Sequence, residues 1–208
     1  MILKKLYKKF KFYLRECFIT KKWREKINIT DRIIIFSSDC TGGMIYHDLK
    51  LEFASPTVNM YLSAEDYLKF IESPEKYLDT PIKDITSSDD QWPVALIKDI
   101  TLNLVHYNSV QKAQKKWNER KRRINWDNVV YIFNDRNGCT YDLLKRYESF
   151  HARKKIVFTH KKYGELSSAY YVEGFENNEC VGTMTAFRNA LSISRRYDIF
   201  DWGLYLYQ

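Results

Sequence analysis

The chain is 208 residues long, 45% hydrophobic and 16% aromatic, enough to bury a core of ordinary size. Its formal charge of +8 lies wholly in residues 1–26, where ten Lys or Arg stand against Glu16 and Glu25, leaving 24 of the 34 basic and 24 of the 26 acidic groups for the rest. A nucleic-acid groove needs basic charge spread over the folded surface, so no nucleic acid is expected as a partner, and four cysteines without a C-x-x-C pair give no zinc cluster.

In residues 1–26, Ile2, Leu3, Leu6, Tyr7, Phe10, Tyr13, Leu14, Cys17 and Phe18 recur at helical spacing among lysines. The pattern predicts a basic amphipathic N-terminal helix, which either lies on an anionic inner-membrane surface or packs on protein with its lysines in solvent. No signal-peptide pattern and no run of transmembrane length is read, so a cytoplasmic protein with reduced thiols is expected. Residues 32–36 (RIIIF) predict a buried strand, residues 37–43 (SSDCTGG) a turn, and residues 44–49 a helix. Ser63 with Asp66 predicts a capped helix to Ile71, and Pro74 opens a short one. Strands are predicted at 94–97, 100–105, 129–133 and 156–159, with helices from Ser109 to about Arg123 and from Thr140 to about Phe150. Strands alternating with helices of this length predict an α/β fold. We expect a single domain over 27–208 with a mostly parallel or mixed sheet flanked by helices, preceded by the basic helix at 1–26.

Three strand-to-helix turns are candidates for chemistry. In the first, Ser38, Asp39, Cys40, Gly42 and Gly43 would offer backbone N–H groups to a phosphate or carboxylate with no Cβ in the way. No Gly-Lys-Ser/Thr follows and the three-glycine fingerprint is missing, so ATP and NAD lose support and no cofactor is named. Cys40 is read either as a thiolate nucleophile or, in preference, as a small buried residue, because no base falls at a useful spacing. In the second, between Asp99 and Arg123, His106 and Tyr107 end a strand, and Arg120 falls on the apolar face of the following helix with Trp117. Arg120 either clamps an anionic substrate, together with Arg123 at the helix end, or forms a structural pair. The third holds Asp135 and Arg136 before Asn137-Gly138. His106, Asp99 and Asp135 are the expected acids and bases; Ser38, Asp39, Cys40, Gly42, Gly43, Tyr107, Trp117, Arg120, Arg123 and Arg136 are the expected substrate contacts. No metal site is expected.

Five segments in order, SSDCTGG (37–43), SPTVNMYLSAEDYLKF (55–70), WPVALIKDITLNLVHY (92–107), AQKKWNERKRRINWDN (113–128) and NDRNGCTYDLL (134–144), resemble the domain-of-unknown-function 1919 family. Its members are sometimes labelled exopolysaccharide biosynthesis proteins. The resemblance covers most of residues 30–190 and implies a role in making or decorating surface glycans. Asp39 and Thr41 stand where similar proteins often carry Asn and an aromatic residue. Within that setting the basic helix and the inward arginine together lead us to expect a cytoplasmic transferase acting on a sugar-phosphate donor or a lipid-linked glycan. The alternatives are a noncatalytic accessory protein of a synthase complex and a Cys-dependent hydrolase centred on Cys40.

Overall fold

A computed structural model describes residues 2–27 and 32–207. In chain order they form α1 (Ile2–Arg15), a π-helical turn (Glu16–Thr20), α2 (Lys21–Arg24), β1 (Ile34–Ser37), α3 (Thr41–Leu49), α4 (Ala64–Glu72), α5 (Pro74–Leu78) and β2 (Lys83–Asp84). There follow β3 (Val94–Ile97), β4 (Ile100–Asn103), α6 (Val110–Lys121), β5 (Val129–Asn134), α7 (Tyr141–Ser149), β6 (Lys154–Thr159), β7 (Ala169–Tyr171) and α8 (Trp202–Tyr207). The α/β class is as expected. Contacts divide the chain into two compact units, one of residues 32–43 and 53–182, the other of residues 1–31, 44–52 and 183–208. The division therefore does not fall at residue 26, as charge alone suggested: the N-terminal helix shares a unit with the last 26 residues.

The larger unit is built on a parallel sheet in the order β1-β5-β6-β7. Every residue of β1 and β5 is buried, as a parallel sheet covered on both faces requires. Tyr67 of α4 stacks on Phe133 at 5.3 Å and donates its hydroxyl to the Phe36 carbonyl, while Tyr147 of α7 sets its hydroxyl 2.9 Å from the Tyr131 carbonyl and 3.1 Å from that of Ile156. These rings bury large apolar area, about 1.5–3 kcal/mol per fully buried side chain, and their polar tips stay satisfied. A smaller antiparallel sheet, β2-β3-β4, belongs to the same unit. The helix starts follow the sequence: the hydroxyls of Ser63, Ser109 and Thr140 accept from the N–H groups of Asp66, Lys112 and Leu143.

One boundary differs in a way that matters. The helix after β1 begins at Thr41, so Gly42 and Gly43 lie inside its first turn and not in a preceding loop. A Cβ on Gly42 would stand 2.9 Å from Ser37 Cβ and 3.0 Å from Ile35 Cγ2, and one on Gly43 would stand 3.2 Å from Val58 Cγ1. The glycines let α3 pack closely on β1 and on the 53–58 segment. Their space is filled by protein, which removes the expected role of open approach to a ligand.

In the smaller unit Arg15 is buried among Asp48, Asp198 and Tyr197. Burial opposes its charge, but the hydrogen bond to Asp198 and the nearby carboxylates more than compensate, and the guanidinium is held above its ordinary pKa. Breaking a buried pair of this kind costs about 3–5 kcal/mol, because one charge is left unmatched. In the same unit α8 crosses α2 so closely that a Cβ on Gly203 would run into the Trp23 backbone carbonyl. Gly203→Ala should therefore cost at least the roughly 1–3 kcal/mol of an overpacked core in urea unfolding, whereas Gly164→Ala, which meets open space, should be neutral. Equal midpoints for the two variants would contradict this packing.

Candidate functional site

The carboxyl ends of β1, β5 and β6 deliver their following residues to one edge, because all three strands run parallel in adjacent register. β1 brings Ser38, Asp39 and Cys40; β5 brings Asp135 and Arg136; β6 brings His160. Asn134 and Ser38 join the first two ends through a 3.3 Å side-chain hydrogen bond. Such edges are where α/β proteins place ligands.

Asp135 is buried and accepts three hydrogen bonds. Its Oδ2 takes the His160 backbone N–H at 2.7 Å and the ring Nδ1 at 2.5 Å, and its Oδ1 takes the Val181 N–H at 2.7 Å. A carboxylate at Nδ1 fixes the ring orientation and the tautomer with the proton on that nitrogen, leaving Nε2 as a base. Among the described residues His160 Nε2 has no hydrogen-bond partner, and it is not sealed from solvent.

Arg136 lies beside this pair on the tight turn Arg136–Cys139, where Asn137 (φ 56°) and Gly138 (φ 80°) are both left-handed and the Cys139 N–H returns to the Arg136 carbonyl. Its guanidinium is held only loosely by Asp39, at 4.0 Å, and also reaches Cys180. Asp39 Oδ1 accepts the Thr41 N–H at 2.9 Å, so the start of α3 already has a carboxylate of its own chain. Tyr141 and Tyr163 stack at 5.5 Å, and burial together with the nearby Asp135 carboxylate raises the Tyr163 phenol pKa. Among the described residues no group of three or more His, Cys, Asp or Glu is arranged to hold a metal ion.

The sequence model described as Domain of unknown function (DUF1919) matches residues 10–206. The chain belongs to this family. It is also 33% identical over 185 residues, 89% of this chain and 88% of the other, to an uncharacterised protein of Haemophilus influenzae.

Several residues expected to contribute to a site in this DUF1919 protein are placed elsewhere. Asp99 sits on the β3–β4 hairpin turn, paired at 3.0 Å with Lys76 and hydrogen-bonded by Tyr77. His106 is exposed in the turn after β4 and makes no hydrogen bond or ion pair among the described residues. Arg120 is buried but meets neutral acceptors: Nη1 donates to the Val58 carbonyl at 3.0 Å and to the Tyr107 hydroxyl at 2.8 Å, with the Phe53 ring below it. Tyr107 in turn donates to Val58, and Arg123 donates to the Phe53 carbonyl. These groups pin the 53–58 segment, whose Val58 also packs on Gly43. Trp117 is core, with its indole N–H on the Leu78 carbonyl. Of the expected acids and bases, only Asp135 reaches the carboxyl edge, where it meets Asp39, Cys40 and Arg136. His160, which holds the free ring nitrogen, was not among the expected residues. The signal available was its position immediately after the strand predicted at 156–159, in a fold expected to carry a mostly parallel or mixed sheet.

Burial, reinforced by Asp39, pushes the Cys40 thiol up to about 12, and burial with Asp135 and Cys180 does the same for Cys139. A raised thiol pKa means the proton is retained at neutral pH, so neither residue is a thiolate nucleophile there. At pH 8, alkylation of Cys40 and Cys139 by iodoacetamide should be slower in the native protein than in urea by more than about 100-fold. Labelling at the unfolded rate in a folded sample would contradict the assignment.

Proposed function

We propose that this chain is a transferase of bacterial surface-polysaccharide biosynthesis, acting at the carboxyl edge on a phosphate-bearing sugar donor. The observation that carries the reading is the buried Asp135 carboxylate on Nδ1 of His160, which leaves Nε2 as the one ring nitrogen able to take a proton. The polysaccharide setting is supported by the family resemblance alone. The catalytic sequence is short. His160 Nε2 takes the proton of an acceptor hydroxyl as that oxygen forms its bond to the anomeric carbon. The bond from that carbon to the donor phosphate breaks, and the departing phosphate keeps the electron pair. Arg136, drawn to no closer than 4.0 Å by Asp39, meets the growing phosphate charge, and a guanidinium fork suits that geometry. The proton on His160 then passes to the leaving phosphate or to water.

A lipid-linked glycan presents the same phosphate, so the donor chemistry is shared. The reading places the protein in the cytoplasm, at the inner face of the membrane when the glycan is lipid-linked. No helix among the described residues is long and apolar enough to cross a membrane.

Thermal shift against nucleotide sugars and polyprenyl phosphate sugars is the first test, since a ligand at 100 times its dissociation constant stabilises by about 2.7 kcal/mol. The stabilisation should disappear in Arg136→Gln and persist in His160→Gln. Turnover of the donor that binds should fall about 10²–10⁴-fold in His160→Gln. No shift with any sugar phosphate, or full turnover by folded His160→Gln, would refute the reading.

A further inference from the structure

The N-terminal helix sets Lys11 and Arg15 against the protein while several of its large apolar residues stand in solvent. Lys11 is buried and donates to the Asn189 and Ala190 carbonyls at 3.2 and 2.7 Å, with its ammonium 3.9 Å from the centre of the Phe187 ring. Arg15, one turn further, enters the pocket of charge made by Asp48 and Asp198, and Thr20 and Trp23 continue the buried face. Several large apolar residues face out, while Phe12 stays half-buried against the Phe187 ring. Leu6 is 57% exposed, Phe10 58%, Tyr13 65% and Phe18 59%. Leu6, Phe10 and Tyr13 are spaced by four and three residues, so they form one stripe along the helix. Tyr7 borders it, with its hydroxyl on the Ala190 carbonyl.

Large apolar side chains left in water at this spacing are costly for a soluble surface, and a contiguous patch of them marks a binding face. The charge beside the stripe identifies the occupant. Lys5, Lys9 and Lys22 are exposed and have no acidic partner among the described residues, and Lys21 meets Glu25 only at 4.0 Å with most of its side chain in solvent. Aromatic and leucine side chains between unpaired lysines suit the boundary of an anionic bilayer, where rings enter the acyl region and ammonium groups stay among headgroup phosphates.

We infer that the outward face of α1, made by Leu6, Phe10 and Tyr13 and continued by Phe18, docks this protein on an anionic lipid surface. The helix remains anchored to its own unit through Lys11 and Arg15, so docking requires no unfolding of the helix from the protein. The inference stands on the helix alone and is independent of the transferase reading. It also specifies which residues to change: removing the first 26 residues would take away Arg15 and Trp23 from a buried cluster, whereas exposed positions can be altered with the fold intact.

The test is co-sedimentation of the full chain with vesicles of phosphatidylglycerol and phosphatidylcholine, against vesicles of phosphatidylcholine alone, at low and high salt. The wild type should bind the anionic vesicles, and binding should weaken as salt rises. Leu6→Ser/Phe10→Ser/Tyr13→Ser should lose at least about tenfold in affinity while melting as the wild type does. Lys5→Glu/Lys9→Glu should lose binding to the anionic vesicles while keeping the apolar stripe. Equal affinity of the wild type and the triple variant for anionic vesicles would overturn the inference. So would failure of the wild type to bind them, including the case where the stripe instead joins two copies of the chain and the triple variant releases monomers.

Discussion

A single buried carboxylate organises the edge on which the functional reading depends. Asp135 leaves β5 and accepts from the backbone and ring of His160 after β6 and from the backbone of Val181, so three separated stretches of chain converge on two oxygen atoms. A carboxylate taken out of water is costly unless it is matched by donors, and three N–H groups at 2.5–2.7 Å supply them. The parallel register of β5 and β6 makes this convergence possible, because Asn134 pairs with Phe158 and the next residues of both strands emerge side by side. The same interaction that closes the edge also fixes the imidazole. Structure and chemistry here share one group.

The glycines of α3 and the arginine of α6 serve that edge indirectly. Gly42 brings the start of α3 against Ile35 and Ser37 of β1, and Gly43 brings it against Val58, whose carbonyl is held by Arg120 and Tyr107. Asp39 then spends one oxygen on the Thr41 N–H, which leaves it at a distance from Arg136 that a stronger anion can exploit. Of the three arginines that sequence reading expected at the substrate, Arg120 and Arg123 brace a loop, and Arg136 lies at the edge beside Asp39.

What could be read from the chain followed from local rules. Ser63, Ser109 and Thr140 carry their caps within three residues, and the apolar runs read at 32–36 and 129–133 supply the continuously buried strands Ile34–Ser37 and Val129–Asn134. What could not be read depended on contacts distant in sequence. Arg120 lies 62 residues from Val58, so periodicity showed a buried cation but not the neutral carbonyl that satisfies it. His160 lies 25 residues from Asp135, and nothing in the local string Thr159-His160-Lys161-Lys162 distinguishes it from a surface turn. The three-residue β7 and the terminal α8 have too little pattern of their own to announce themselves. The N-terminal helix was legible as amphipathic, yet which face turned inward depended on Asp48 and Asp198, far along the chain.

The central claim is that Asp135 holds a proton of His160 on Nδ1 and leaves Nε2 as the ring nitrogen that exchanges a proton with substrate. Long-range nitrogen–proton correlation spectra of the four histidines at neutral pH, with His160 assigned by its loss in His160→Gln, measure this directly. The account predicts the Nδ1–H tautomer for His160, with an Nδ1 proton resonance protected from exchange. An Nε2–H tautomer, or a ring whose two nitrogens average freely, would contradict it.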